Sequence, residues 1–136
     1  MTARYHPPTY RIWVRGRPQS AQKRGSRDRY VEAIRVAARS VVERPTASRR
    51  LDVDVWFCAD SVSRADVDNV LKPVLDALCG VVYLDDRQVR SVRAVAVPND
   101  DAMRFSGPLS VINRLFAGRE FLVNVYEGLL LAGRGP

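Results

Sequence analysis

Apolar positions recur along the chain with two distinct periods, and the points where one gives way to the other predict the elements. Tyr10 to Val14 (YRIWV) alternates as a strand does. Arg15 to Arg27 (RGRPQSAQKRGSR) has no apolar period and is rich in Gly, Pro, Ser and basic residues, so it reads as a loop or arm. From about Asp28 to Glu43, Val31, Ile34, Ala38, Val41 and Val42 recur at spacings of three and four. This predicts an amphipathic helix with Asp28 as N-cap, ended by Arg44 and Pro45. Leu51 to Cys58 (LDVDVWFC) is the clearest strand, with Leu51, Val53, Val55 and Phe57 on one face and Asp52, Asp54, Trp56 and Cys58 on the other. After a polar loop, Asp66 to Gly80 carries a helical stripe (Val70, Leu71, Val74, Leu75, Leu78) closed by Gly80. Pro73 is tolerated only near a first turn, so this helix should begin close to Asp68 or Asn69. A short Val81 to Leu84 run follows, then a strand from Gln88 to Val97 closed by Pro98, a short helix within Pro108 to Phe116 and a final alternating strand, Phe121 to Tyr126.

Strands and helices interleaved in this way predict an α+β fold, with one mixed β-sheet of about four strands and two main helices. At 136 residues the chain has the length of one domain, spanning 1–136, with 1–9 and 128–136 as flexible or partner-contacting ends. No internal repeat is visible. No apolar stretch reaches the roughly 18 residues needed to span a bilayer, and the first ten residues are polar and proline-bearing, unlike a signal peptide. Cys58 and Cys79 lie far apart in apolar runs and read as reduced core thiols. The expectation is a cytoplasmic protein without a membrane partner.

The charge is uneven. The formal total is +7, with a sequence pI near 10.1. Residues 1–50 carry 13 basic and 3 acidic groups, whereas residues 51–136 carry 9 basic and 12 acidic. A basic half points to a polyanion, with nucleic acid first among them, because Lys and Arg gain affinity by releasing phosphate counterions. His6 is the single histidine and lies close to the amino terminus, which removes catalytic triads, histidine-based zinc hydrolysis and nucleases with a histidine base. An enzyme built on this chain works with carboxylates, Lys or Arg. Only Lys23 and Lys72 are lysines among 22 basic residues, so Lys72 stands out as a compact ammonium in an arginine-rich chain.

The acids gather in Asp66-x-Asp68-Asn69-x-x-Lys72-x-x-x-Asp76, followed by Asp85-Asp86. Asp68, Lys72 and Asp76 succeed one another at four-residue intervals and share a helix face. If the chain folds back after Gly80, Asp86 meets Asp66 and Asp68. Like charges about 4 Å apart repel by about 4 kcal/mol at an effective dielectric of 20, so such a cluster calls for a cation. With neither usable His nor paired Cys, that cation is hard: Mg²⁺, with Mn²⁺ as a substitute. A carboxylate-held metal beside a basic surface suits phosphodiester hydrolysis, with Lys72 adding positive charge at the transition state. Each element taken alone has a plainer reading. Asp66 or Asp68 can be an N-cap, Asn69 a cap or an orienting neighbour of a carboxylate, Lys72 with Asp76 a surface pair, and Asp85-Asp86 a turn.

The stretch RADVDNVLKPVLDALCGVVYLDDRQV, Arg64 to Val89, resembles the signature of the RusA family of Holliday-junction resolvases. The likeness extends more loosely to the amino-terminal strand and the Gly16 to Arg24 loop, and it fades after Val97. Asn99 to Glu120 is longer than the family pattern, and the Leu-rich tail is foreign to it. The resemblance implies a RusA-like fold and a small Mg²⁺-dependent homodimer that cuts four-way junction DNA by paired symmetric nicks in recombination and repair. Asp66, Asp68 and Asp86 would be the metal-binding catalytic acids and Lys72 the essential lysine, with Asp85 and Asn69 beside the site. Arg15, Arg17, Lys23, Arg24 and Arg27 would form a basic arm on the DNA backbone, joined by Arg64. Two alternatives stand beside this reading: a non-catalytic branched-DNA-binding or regulatory protein, and a Mg²⁺ nuclease acting on other branched or single-stranded nucleic acid.

Overall fold

The strand Leu51–Cys58 is buried throughout because helices cover both faces of the sheet, while a neighbouring strand on either side pairs its edges. A computed structural model describes residues 6–18, 24–58, 67–97 and 109–128, with the side chains of 24–26 and 67–68 left out. In chain order the elements are β1 (Tyr10–Arg15), α1 (Arg24–Arg39), β2 (Leu51–Cys58), α2 (Val67–Leu78), a 3-10 turn (Asp86–Gln88), β3 (Val89–Val97), α3 (Leu109–Phe116) and β4 (Glu120–Glu127). The sheet order is β1-β4-β2-β3. β4 pairs antiparallel with β1 and β2, whereas β2 and β3 are parallel and joined by α2 as the crossover. One mixed sheet of four strands with three helices makes the α+β fold that the periodicity predicts.

Two apolar clusters hold the helices on the sheet. The larger lies under α1 and α2, where Tyr30, Ile34 and Ala38 of α1 and Val70, Val74, Ala77 and Leu78 of α2 meet Leu51, Val53, Val55 and Phe57 of β2. On the opposite face Trp56, Val97 and Leu122 pack against Val111 and Leu115 of α3. Each aliphatic side chain fully buried in this way contributes roughly 1.5–3 kcal/mol. The polar positions of β2 are buried as well. Asp54 pairs with Arg93 of β3 at 2.7 Å, and Asp52 accepts a hydrogen bond from Ser91 Oγ. The simple inside-outside alternation along β2 therefore separates two buried faces rather than a buried one from a wet one.

Several boundaries differ from the periodicity. α1 begins at Arg24, so the last residues assigned to the arm are helical and Asp28 sits inside the helix instead of capping it. The added turn carries Arg27 to Asp76 of α2, at 2.9 Å, a contact across 49 residues that local capping preference does not encode. α1 ends at Arg39 rather than near Glu43. Val42 N–H still donates to Ala38 O at 2.8 Å, and Val42 is buried from a turn, while Val41 points to solvent. α2 begins at Val67, which puts Pro73 in its second turn. Pro73 has no N–H to give the Asn69 carbonyl, a loss that costs about 3 kcal/mol in an isolated helix and is offset here by the buried apolar face of α2. α2 has no basic residue in its last turn; Arg35 of α1 supplies one, donating to the Asp76 and Ala77 carbonyls at 3.4 Å.

The chain then turns sharply. Gly80 adopts φ +89°, as its place after the helix predicts, and its N–H donates to Tyr83 O at 2.7 Å. Val81 to Leu84 forms this turn, touching strand-like partners only through single bridges of Tyr83 to Thr46 and Cys79. Of the two thiols, Cys58 is buried as expected, but Cys79 is only half-buried. Arg64 and the helix start at Pro108 lie outside the described residues.

Candidate active site

Where α2 hands over to β3, the chain builds a rigid corner. Its centre is Gln88, whose Oε1 accepts from the N–H groups of Leu84 (2.8 Å) and Asp85 (2.9 Å) and whose Nε2 donates to the carbonyls of Thr46 (2.9 Å) and Ser48 (2.8 Å). Asp85 completes a capping box on the 3-10 turn, its Oδ1 accepting from Arg87 N–H at 2.8 Å. The Arg87 guanidinium grips the same carboxylate at 3.0 Å. These bonds to Arg87, side chain first and backbone second, hold the Asp85 carboxyl below the usual carboxylate range. Asp85 is thereby committed to shaping the turn.

Asp86 has a different environment. It is exposed, and among the described residues no Lys or Arg forms an ion pair with it. It lines a cavity of about 390 Å³ together with Leu71, Lys72, Leu75, Asp76, Tyr83 and Val89. The floor is fixed: Tyr83 is fully buried and its hydroxyl donates to Leu75 O at 2.6 Å. Burial, then the negative charge of Asp86, push the Tyr83 phenol upward, so it stays protonated as a donor. The Cys79 thiol donates to Leu84 O at 3.7 Å. Burial, with Asp86 next in weight, raises its pKa, so it remains a neutral thiol and the cavity's anionic donors are carboxylate oxygens.

The structure thus brings Lys72, Asp76 and Asp86 of the predicted constellation to one cavity. Asp76 does not pair with Lys72 across one helical turn; it pairs with Arg27, leaving the Lys72 ammonium without a carboxylate partner among the described residues. Asp68 lies within α2, four residues and so about 6 Å along the axis before Lys72, but its side chain is not described. Asp66 lies outside the described residues, so the meeting of Asp66, Asp68 and Asp86 is not visible. Asn69 is half-buried in the first turn of α2. Among the described residues, no group of three or more His, Cys, Asp or Glu side chains is placed to hold a metal. Within what is described, Asp86 offers hard oxygen donors in an open cavity beside a cation, a donor set suited to Mg²⁺ or Mn²⁺ rather than to a thiophilic ion.

The basic residues are dispersed. Arg15 ends β1 at the sheet edge opposite β3, and Arg17 follows it, exposed. Arg15 shares a groove with Trp13, Arg29 and Glu32. Arg27 stands in α1 rather than in a free arm, tied to the cavity wall through Asp76. Arg24 opens α1 without a described side chain, and Lys23 and Arg64 lie outside the described residues. Gln88, Tyr83 and Cys79 are parts of the corner that spacing alone misses. All three fall inside the Arg64 to Val89 stretch, where spacing gives none of them a role.

A carboxylate and a lysine thus share one cavity on an α+β frame, in a chain with an excess of positive charge. The family model described as endodeoxyribonuclease RusA matches residues 2–105 of the 136, and the chain belongs to that family. The matched span contains β1, α1, β2, α2 and β3, whereas α3 and β4 follow it, so the strand between β1 and β2 comes from beyond the matched region. A search of curated proteins finds no matching relative. Membership implies in general an endonuclease of Holliday junctions that binds branched DNA and depends on a divalent metal. No described helix is long and apolar enough to cross a membrane.

Proposed function

We propose that this protein is a Mg²⁺-dependent structure-specific endodeoxyribonuclease, one domain over 1–136, that resolves four-way junctions by paired symmetric cleavage in recombination and repair. The observation that carries the reading is the exposed carboxylate of Asp86 lining one cavity with Lys72, in a chain of the RusA family. Asp86, with Asp66 and Asp68 completing the set, would hold the metal. When bound, Mg²⁺ or Mn²⁺ supplies an activated water and neutralises charge on the phosphate. Lys72 places its ammonium against the charge that develops on the phosphate or on the departing oxygen. Asp76 forms part of the wall, and Arg27 draws its carboxylate away from Lys72. Asp85 shapes the turn that presents Asp86, and Asn69 steadies the start of α2. Arg15, Arg17, Lys23, Arg24 and Arg64 grip the backbone without reading bases.

Two nicks related by a twofold axis require two sites related by one, so the active species is a homodimer. The test is cleavage of an end-labelled mobile four-way junction beside matched duplex, flap and single strand, with Mg²⁺, with Mn²⁺ and with EDTA. Symmetric, metal-dependent nicks confined to the junction are expected. Tight junction binding with no cut under either metal would make the chain a binding protein, and equal cutting of flap or single strand would remove junction specificity.

A further inference from the structure

The turn that presents Asp86 to its cavity has a second side. There Arg49, Arg87, Gln88 and Arg90 line a groove of about 490 Å³ together with Asp85. Three guanidiniums meet one carboxylate. Asp85 is taken up by Arg87, whereas Arg49 and Arg90 are exposed and have no ion-pair partner among the described residues. The groove is therefore doubly positive and begins one residue, a Cα step of about 3.8 Å, from Asp86.

Arg90 is delivered there by a backbone irregularity. β2 and β3 pair Leu51 with Val89 and then Asp52 with Ser91, so one step on β2 spans two on β3 and Arg90 is the extra residue. Such a bulge re-aims a side chain that regular pleating would send elsewhere. It lies at the start of β3, an edge strand, directly after the Gln88 clamp. Arg49 comes from the segment before β2 that Gln88 holds through the Thr46 and Ser48 carbonyls. One glutamine thus fixes both walls of the groove and the backbone under Asp86.

We propose that this groove is a phosphodiester-binding subsite that holds the DNA backbone beside the phosphate to be cut. Building on the nuclease reading, the proposal adds a path: a strand crosses the Asp85-Asp86 turn, with one phosphate at Asp86 and Lys72 and a neighbouring one on Arg49 and Arg90. Planar guanidiniums suit this role because they bind phosphate oxygens through paired N–H donors. Arg87 joins when a phosphate competes with Asp85 for it. The partner is a polyanionic backbone, and no base is read.

The experiment measures binding of labelled duplex and four-way junction by the full chain in EDTA, across a salt series, for wild type, Arg49→Gln/Arg90→Gln and Arg49→Lys/Arg90→Lys. Losing two phosphate contacts should make the slope of log K against log salt shallower by about 1.8, which corresponds to about 30-fold weaker binding at about 0.15 M salt. The lysine pair should restore most of the slope, because it restores the charge. An unchanged slope in the glutamine pair, or a loss that lysine does not restore, overturns the subsite while leaving the nuclease reading intact. Wild type that binds neither DNA overturns both.

Discussion

Asp85 and Asp86 are identical residues side by side, yet their surroundings give them opposite roles. Asp85 accepts the Arg87 N–H and guanidinium and caps the 3-10 turn; Asp86, one residue on, projects into the cavity with Lys72 and has no ion-pair partner among the described residues. Gln88 lies beneath both: its amide accepts from the N–H groups of Leu84 and Asp85 and holds the backbone from which the two carboxylates diverge. A pair of adjacent acids is not by itself a site. One is structural so that the other can stay open.

Removing the cation on the open side should have the largest effect. Lys72→Met is expected to lower single-turnover junction cleavage by about 10²- to 10³-fold, since a charge aimed at the transition state is worth that much. Junction affinity in EDTA and the unfolding temperature should stay near wild type, because Lys72 is exposed. Equal losses in binding and cleavage would move Lys72 from the reacting phosphate to simple backbone contact.

Gln88→Ala should erase the distinction between the two carboxylates. Four hydrogen bonds at a net of about 0.5–1.5 kcal/mol each, not fully additive, put the loss of stability near 2 kcal/mol in a denaturant titration. Cleavage should fall with it, because the backbone under Asp86 is released. A variant as stable and active as wild type would remove Gln88 as the support of the two carboxylates.

A weaker coupling ties the cavity wall to α1. Arg27 and Asp76 are each about two-fifths exposed, 38% and 40%, so a double-mutant cycle with Arg27→Ala and Asp76→Asn should yield only about 0.5 kcal/mol. Its value is in the sign. Favourable coupling keeps Asp76 with Arg27, whereas none would return Asp76 to Lys72 as an ordinary helix pair.

The smallest effect is expected far from the corner, at Glu120. Arg114 hydrogen-bonds Glu120 (Nη2 to Oε1, 2.8 Å) while lying 4.4 Å over the Trp13 ring, and the bond from Arg114 lowers the Glu120 pKa. A carboxyl whose folded pKa is depressed contributes stability above its unfolded pKa and loses it as pH falls through the folded value. Glu120→Gln should therefore melt slightly below wild type at neutral pH, with the gap closing below the carboxylate range. A gap that persists in acid would assign the difference to packing.

Much of this arrangement was legible in the residues. Strict alternation from Leu51 to Cys58 gives β2, the stripe Val70, Val74 and Leu78 gives α2, and the four-residue spacing from Asp68 to Lys72 survives as one turn of that helix. What was hidden depends on partners distant in sequence. Arg27 reads as part of a basic arm until α2 brings Asp76 to it across 49 residues. Asp52 and Asp54 look like the wet face of a strand, although Ser91 and Arg93, each 39 residues on, meet them inside the sheet. Pro73 argues against a second-turn position on propensity alone, and tertiary burial of α2 overrules it. Gln88 carries no local signature of a clamp, because its acceptors lie 40 and 42 residues back. The bulge that exposes Arg90 arises only from the pairing of two strands.

The central claim is the division of labour between the adjacent acids, and the most direct measurement is the single-turnover cleavage rate of a four-way junction by Asp86→Asn and Asp85→Asn side by side, with Mg²⁺ and with junction bound to saturation. Asp86→Asn should lose at least about 100-fold in rate while still binding the junction. Asp85→Asn should cut within a few-fold of wild type and lose instead about 1 kcal/mol of stability as a weakened cap. Equal losses in the two variants, or the larger loss in Asp85→Asn, would contradict the account.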